Sequence, residues 1–539
     1  MIAKLTKYWL LILILLLAFY LRFFKLTTLI SPYWEEVALG YDAHSISQTL
    51  KDHHGHLLPL VAFESFGDWK PSLYFYAIVP LIKILGLNLW AVRLPSAIAG
   101  MTIVLGVYIL CQIIWQNKKL SLLAALVTAI SPWAILFSRA AWEVNLATAL
   151  LLWGVISFFY FKQKKLLIFY ILSILLLVLS MYCYHATRII APLLGLGLVI
   201  MAKLNKKQVV LGAGLALLLI SPILLNLNNK STAQRFAETS IFSNLAIIKE
   251  SNASQAAQPN LLGKIFYHRY VLFSREIIKN YLSHFNINFL FLSGDNNPRH
   301  SIQYFGQLYH IELVFLLLGV VCLTHPGIHR GPPSPENRRG AKGVRLFLFF
   351  WLLVSLIPAS ISTASPHALR ILPSLPVWMI LVAVGINSLG SKKTILITIL
   401  LVYALELSVF WRFYTRIYPI EWAGEWQYGY QELFSKLKKL DLPATQTIYL
   451  TREQGRPAMY YWFYQQIDPK LVQAANSLVK KDQGEFLEFA NFKFVNSISE
   501  VTVKNSLVIS SPTDLPGFIF LDEVKNKSGQ TIWEINKYE

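Results

Sequence analysis

The chain has 539 residues, of which 55% are hydrophobic and 14% charged, and its mean hydropathy is +0.48. Soluble domains carry about 25% charged residues, so this composition excludes an ordinary soluble protein. The net charge of +20 does not indicate nucleic-acid binding, because the basic residues cluster in short segments between apolar runs, as in the cytoplasmic loops of membrane proteins.

Apolar runs of about 20 residues, long enough to cross a bilayer as helices, recur along the chain. A further run over 74–89 contains Pro80, Lys83 and Gly86, and we expect it to be interfacial or re-entrant. The sequence therefore predicts an all-α polytopic membrane protein whose transmembrane domain covers residues 1–411. About eleven candidate spans lie near 8–26, 92–115, 119–137, 142–161, 165–183, 186–203, 208–227, 307–324, 345–362, 368–389 and 393–411.

The loops between these runs alternate in character. Every second loop is rich in lysine and arginine, and the positive-inside rule makes that side cytoplasmic. The other loops carry most of the histidine, carboxylate and isolated arginine side chains. We therefore expect 27–91 to be a first external loop and 228–306 to be a long external loop.

Beyond Trp411 the hydropathy falls, and short β-prone runs alternate with helical stretches. The β-prone runs are 446–450, 492–495, 506–510, 517–521 and 531–535, and the helical stretches are 430–440 and 457–466. This pattern predicts a small extracytoplasmic α/β domain over 412–539. Its role is not readable from residue chemistry.

Two adjacent carboxylates, Glu35 and Glu36, follow the first apolar run in a chain that has few acidic residues. Adjacent side chains diverge by about 100° on a helix and about 180° on a strand, so only one of them faces a given substrate. We interpret one as a general base towards an acceptor hydroxyl and the other as an orienting group. The alternative is two solvated carboxylates at the membrane surface.

The same loop is dense in aspartate and histidine. Its charged and imidazole side chains include Asp42, Asp52, His53, His54, His56, Asp68 and Lys70. Such side chains permit a divalent metal, although their spacing matches no fixed zinc motif. Solvated loop residues are the alternative, and no other cofactor is indicated.

Arginine and histidine pairs recur at the external ends of spans. Arg139 and Glu143, four residues apart, indicate either an ion pair along one helix or a substrate contact. The other pairs are His185 with Arg188, Arg299 with His300, and His367 with Arg370.

The last of these pairs has the clearest physical rationale. Ser365 is a plausible N-cap and Pro366 suits the first helical position, which would put His367 and Arg370 in an opening turn. A helix N-terminus beside an arginine favours an anion such as phosphate. The alternative is an arginine that snorkels at the interface.

Several motifs together resemble the bacterial branch of the dolichyl-phosphate-mannose protein mannosyltransferase superfamily, which includes the lipid A aminoarabinose transferase. They are Trp34-Glu35-Glu36, Gly40-Tyr41-Asp42-Ala43, Phe66-Gly67-Asp68-Trp69-Lys70-Pro71, Ala91-Val92-Arg93-Leu94-Pro95, Phe137-Ser138-Arg139, Tyr184-His185, Gly294-Asp295 and Pro366-His367-Ala368-Leu369-Arg370.

The resemblance implies a C-type glycosyltransferase fold in the plasma (inner) membrane, with a polyprenyl-phosphate sugar donor and membrane lipid as partners. The family carries an Asp-Glu pair in its first external loop, with the Asp as catalytic base, and this sequence has Glu35 at the Asp position. The expected reaction is inverting transfer of a hexosyl or pentosyl group to an unidentified acceptor hydroxyl on a protein, lipid or glycan. Catalytic candidates are Glu35 and Glu36, and substrate-binding candidates are Asp52, Lys70, Arg93, Arg139, Glu143, His185, Arg188, Arg299, His300, His367 and Arg370.

Two other functional classes stay open. A secondary transporter would place ionisable groups near the bilayer midplane and often shows inverted repeats. A non-catalytic membrane scaffold would bind the donor without turnover.

Overall fold

The computed structural model describes residues 2–226, 240–325, 335–390, 392–440, 442–443, 445–512 and 516–539, without the side chains of 2–7 and 335–342. The chain forms two compact units. The first comprises Met1–Phe24 and Ser96–Phe410, and the second comprises Lys25–Pro95 and Trp411–Glu539. By packing, the loop 27–91 therefore groups with the C-terminal segment. The predicted division into a transmembrane domain (1–411) and an extracytoplasmic domain (412–539) describes position relative to a membrane, and it stays a prediction.

The first unit is helical. Its helices are α1 (Ile2–Phe23), α4 (Leu89–Trp115, which starts in the second unit), α5 (Lys118–Ile130), α6 (Pro132–Ser138), α7 (Glu143–Lys164), α8 (Leu167–Met181), α9 (Thr187–Ala202), α10 (Lys206–Leu225), α11 (Leu245–Ala257), α12 (Leu261–Phe266), α13 (Arg269–Ser283), α14 (Glu312–Thr324), α15 (Pro335–Ser360), α16 (Ala368–Ile371), α17 (Leu375–Ser388) and α18 (Lys393–Arg412). Short 3-10 turns at Ile241–Ser243 and Leu372–Ser374 and a π turn at Asn288–Leu292 complete it.

Local sequence explains where helices break. The α5–α6 pair bends by 57°. Ser131 lies at the bend and accepts a hydrogen bond from the amide of Ala134, and Pro132 follows at the first helical position. A serine cap and a proline at that position both favour a new helix start. At α10, Asn205 and Gln208 form a reciprocal capping box.

Among the described residues, six helical segments are long and apolar enough to cross a membrane by length and composition, and the bent pair makes a seventh candidate. Shorter apolar helices cover Tyr8–Phe23, Leu73–Leu85, Leu167–Met181, Thr187–Ala202 and Glu312–Thr324. Each of the predicted spans coincides with one of these elements. The multiple apolar helices confirm the polytopic helical class, and the number of spans stays a prediction.

The second unit begins with α2 (Trp34–Thr49), the hairpin of β1 (Ala62–Ser65) and β2 (Asp68–Pro71), and α3 (Leu73–Leu85). A π turn (Phe413–Ile417) and short α19 (Tyr418–Glu421) follow the end of α18. Beyond them lie α20 (Tyr430–Lys439), β3 (Ile448–Thr451), α21 (Pro457–Tyr464), α22 (Pro469–Ala475), β4 (Lys481–Asp482), β5 (Glu485–Phe486), β6 (Glu488–Phe489), β7 (Phe492–Val495), a 3-10 turn (Ile498–Glu500), β8 (Leu507–Ser510), β9 (Phe518–Lys525) and β10 (Thr531–Tyr538).

The core of this unit is a six-stranded mixed sheet in the order β6-β7-β3-β8-β10-β9. Strand β3 pairs in parallel with β7 and β8, whereas β10 pairs antiparallel with β8 and β9. All five predicted β-prone runs form strands of this sheet, and both predicted helical stretches form helices. The small C-terminal α/β region is confirmed as a fold, and its extracytoplasmic placement stays a prediction.

Candidate active site

The two adjacent carboxylates occupy the first turn of α2 but lie in different environments. Glu36 is fully buried and forms a two-pronged ion pair with Arg93 of α4, with Nε–Oε1 at 2.8 Å and Nη2–Oε2 at 2.7 Å. Paired bonds between a guanidinium and a carboxylate are strong and directional. Glu36 is thus fixed in place and closed to solvent.

Every N–H group of the Arg93 guanidinium donates a hydrogen bond to another residue of the chain. Besides Glu36, its Nη1 donates to the carbonyls of Leu26 and Ile30 at 2.7 and 3.0 Å, and Nη2 donates to that of Ser31 at 3.1 Å. A guanidinium has five N–H groups, and these bonds account for all five. Predicted as a substrate contact, Arg93 instead fixes the loop that leads into α2.

Glu35 remains partly accessible, with 34% of its side chain exposed. Its Oε2 receives Lys70 Nζ at 2.7 Å and the hydroxyl of Tyr33 at 3.0 Å. Lys70 is 5% exposed and lies in β2, opposite Phe63 of β1. The hairpin therefore positions a cation on Glu35, where the sequence predicted a phosphate or sugar contact.

The turn at the start of α2 is also held by the C-terminal segment of the same unit. The amide of Trp34 donates to Gln427 Oε1 at 3.2 Å, and the hydroxyl of Tyr460 lies 3.3 Å from the same atom. That hydroxyl donates to the carbonyl of Pro32 at 2.9 Å. One glutamine oxygen thus joins α2 to α21.

The Asp/His loop forms two pairs. Asp52 receives the amide and Nδ1 of His56 at 2.8 and 2.9 Å, and Nδ1 of His53 lies 2.6 Å from Asp42 Oδ1. Burial raises the pKa of Asp42 to about 7 and lowers the pKa of His53 to about 4. The loop, where the sequence suggested a metal, uses these carboxylates to close a turn and to anchor it on α2.

In the first unit, Asp295, His300 and His367 form one buried cluster. Asp295 Oδ2 lies 3.3 Å from Nδ1 of His300 and 3.8 Å from Nδ1 of His367, and the two imidazole rings are 4.9 Å apart. Burial raises the pKa of Asp295, but the hydrogen bond from His300 and the charges of both histidines outweigh it and lower that pKa to about 2. Burial holds the pKa of His367 well below its usual value.

The predicted helix start at Pro366 is wrong. The helix begins at Ala368 with His367 at the N-cap, and the Ser365–Pro366 peptide bond is cis. The amide of Ala368 donates to Asp295 Oδ2 at 2.7 Å. The anion at this helix N-terminus is therefore the carboxylate of Asp295. It accepts the hydrogen bond of the amide that we expected to bind a phosphate.

The remaining predicted residues of this unit lie on several different elements. Arg139 lies between α6 and α7, so it does not share a helix with Glu143, which opens α7. Its guanidinium donates to the carbonyls of residues 21, 22 and 24. Arg188 opens α9 and is partly exposed, as are His185 before it, Arg299 and Arg370.

The cluster of Asp295, His300 and His367 has the chemistry of a metal site. Its ligand atoms all lie within 4.8 Å of one another, and Nδ1 of His367 is buried without a hydrogen-bond partner. Two imidazoles and one carboxylate suit zinc or a similar divalent ion. Among the residues that the structure describes, these side chains fit a metal better than those of the 52–56 loop.

Residues 69–225 match the family model of the dolichyl-phosphate-mannose-protein mannosyltransferases. The family resemblance is confirmed. The fold is similar to the crystal structure of ArnT from Cupriavidus metallidurans in the apo state, at 11% identity and a TM-score of 0.57, over 99% of this chain and 98% of that one. ArnT from the same organism bound to undecaprenyl phosphate is similar at 12% identity and a TM-score of 0.54, over 98% and 97%. No curated protein matches the chain.

Within the family framework, sequence reasoning left three neighbours of the candidate residues unassigned. Asp295 stood in the Gly294-Asp295 motif, and its position next to a strongly conformation-permissive glycine was a usable signal. Asp42 stood in the Gly40-Tyr41-Asp42-Ala43 motif, but its pairing with His53 arises only in the folded chain. Tyr33 gave no such signal, because its role depends on its contact with Glu35.

Proposed function

We propose that this protein is a glycosyltransferase that moves one sugar from a polyprenyl-phosphate donor to an acceptor hydroxyl on the external face of the plasma membrane. The observation that carries the proposal is the contrast between Glu36, which is closed to solvent and paired with Arg93, and Glu35, which is partly exposed. A buried paired carboxylate cannot reach a substrate. The accessible one stands at the position that the family resemblance gives to the base.

In this proposal Glu35 accepts the proton of the acceptor hydroxyl as the hydroxyl oxygen attacks the anomeric carbon. The bond from that carbon to the phosphate oxygen breaks, and polyprenyl phosphate leaves with the electron pair. A single displacement inverts the anomeric centre. Lys70 and Tyr33 both bind Oε2 of Glu35, and this fixes the orientation of the carboxylate.

The leaving phosphate needs cationic partners as its charge develops. Arg188 and Arg370 of the first unit stay candidate phosphate contacts, because both are partly exposed, whereas Arg93 and Arg139 are buried and donate to carbonyls of the chain. If a divalent metal binds, the cluster of Asp295, His300 and His367 in the first unit would hold it.

The proposal is tested by mass spectrometry of the surface glycans of a deletion strain complemented with variants. We expect the deletion to remove at least one glycan modification, wild type to restore it and Glu35→Gln to fail, because an amide cannot accept the proton. Glu64→Gln is the matched control, since Glu64 lies in the same loop, is partly exposed and has no assigned role in the reaction.

Each variant is first shown to be folded by its melting temperature in detergent. Full restoration of the glycan by Glu35→Gln would remove this residue from the mechanism. An unchanged glycan profile in the deletion strain, together with solute flux into proteoliposomes that lack a lipid donor, would favour a transporter instead.

A further inference from the structure

A second site lies beside the candidate base, within the same packing unit. It is an open pocket of about 330 Å³ formed by the C-terminal segment and by Trp34, the residue that precedes Glu35. This volume is at the lower end of the roughly 300–1,000 Å³ range of small-molecule sites, so it suits a ligand of one or two sugar rings. Nothing in the chemistry assigned above uses it.

The polar lining of this pocket is held in place by the fold. Arg452 donates to Glu485 at 3.1 Å, to Asp482 at 2.8 Å and to Asn496 at 2.9 Å, which uses three of its five N–H groups. Arg456 donates to Gln483 at 2.9 Å. The fixed guanidinium groups donate, and the side-chain amides of the lining both donate and accept, as neighbouring hydroxyls on a sugar ring require.

Backbone geometry brings the indole ring into the wall. Gly455 has a φ of +117°, and a Cβ built on it would lie 2.9 Å from Cε3 of Trp34. Only glycine allows the backbone to approach the ring this closely in that conformation. An aromatic ring next to fixed polar groups gives one apolar and one hydrogen-bonding surface, which matches the two kinds of surface on a sugar ring.

The charge balance selects the class of ligand. The two arginines of the lining are matched by Glu485 and Asp482 behind them and by Glu453 in the lining itself. No excess positive charge remains for a phosphate or a uronic acid. With two arginines against three carboxylates, the pocket is polar and carries no net positive charge.

We propose that this pocket binds a neutral saccharide unit of the acceptor and presents the next hydroxyl to Glu35. This inference rests on the proposed function and names its acceptor as carbohydrate. Trp34 and Glu35 are consecutive in the first turn of α2. Their side chains diverge by about 100° around the helix axis, so the sugar ring on the indole and the hydroxyl that reaches Glu35 belong to successive units of the acceptor. The acceptor is thereby held by the C-terminal region, whose role the sequence left open.

The test uses purified full-length protein in detergent and isothermal titration calorimetry. The probes are maltose, cellobiose, chitobiose and lactose as neutral disaccharides, and digalacturonate and inorganic phosphate as anions. We expect at least one neutral disaccharide to bind wild type. Its affinity should fall about tenfold in Gln454→Ala, which removes one hydrogen-bonding side chain of the lining, and more in Trp34→Ala.

The matched control is Gln530→Ala, which removes an exposed glutamine outside the pocket and should leave binding unchanged. Failure of every neutral disaccharide to bind, binding of the anions alone, or equal binding by Gln454→Ala and wild type would each overturn the proposal. Glu35→Gln separates the two hypotheses, because it should keep saccharide binding while losing transfer. Retained transfer in that variant refutes the base and leaves the pocket standing.

Discussion

The five hydrogen bonds that Arg93 donates give a quantitative prediction for Arg93→Lys. Lysine keeps the positive charge but has three N–H donors where arginine has five, so at least two of the present acceptors lose their bond. Each buried polar group left unpaired costs about 1–3 kcal/mol. The free energy of unfolding should therefore fall by at least about 2 kcal/mol, although the introduced ammonium group would still face Glu36.

The assay is the melting temperature of the purified protein in detergent. For a unit of this size, about 1 kcal/mol corresponds to roughly 2–4 °C, so the expected decrease is about 4–8 °C or more. The control is Arg416→Lys, the same exchange at an exposed arginine of the same unit, where we expect almost no change. A melting temperature of Arg93→Lys equal to that of wild type would refute the donor count.

Three further predictions follow from other sites. Gly455→Ala should lower both the melting temperature and the transfer rate, because the added Cβ would clash with the ring of Trp34. Gly529→Ala is the control: this glycine also has a positive φ but has open space around it, so the exchange should cost only the backbone penalty of at least about 1 kcal/mol and leave the transfer rate unchanged. In Asp42→Asn the pKa of His53 stays lowered to about 4, so the free energy of unfolding should fall by up to about 3 kcal/mol as pH drops from about 6.5 to 4. In His53→Gln the pKa of Asp42 stays raised to about 7, so the free energy of unfolding should instead fall as pH rises from about 4 to 7. Wild type should bind about one zinc ion per chain in equilibrium dialysis, and Asp295→Asn should lose it.

Each of these has a contrary outcome. Equal transfer rates in Gly455→Ala and Gly529→Ala would show that the contact between Gly455 and Trp34 does not affect catalysis. Unfolding curves whose pH slopes have the same sign in Asp42→Asn and His53→Gln would contradict the buried pair. Zinc bound equally by wild type and Asp295→Asn, with Asp68→Asn as control, would place any metal elsewhere.

The sequence predicted the elements of the fold well, because an apolar run or an alternating strand is a local property. It predicted much less about which group each charge contacts. Arg93 and Glu36 are separated by 57 positions, and Asp295 and the amide of Ala368 by 73. No periodicity encodes such pairs, so Arg93 was expected at a substrate and the helix N-terminus was expected to hold an external anion.

The separate roles of Glu35 and Glu36 show the same limit. Divergence of adjacent side chains implied that they differ, but not which of them is buried. Which carboxylate is buried depends on the ion pair of Arg93 with Glu36 and on the ion pair of Lys70, in the β1–β2 hairpin, with Glu35. Local propensity places the helix start, and distant packing decides the chemistry of each carboxylate.

The glutamine oxygen that joins α2 to α21 also sets an order of events during synthesis. Gln427 follows Trp34 by 393 positions, and Tyr460 follows Pro32 by 428. At about 5–20 residues per second, the ribosome needs roughly 20–80 s between the two ends of the first of these bonds. The turn that carries Glu35 is therefore synthesised early and completed late. A nascent chain that stops before the C-terminal segment has the contacts to Lys70 and Arg93 but lacks those to Gln427 and Tyr460.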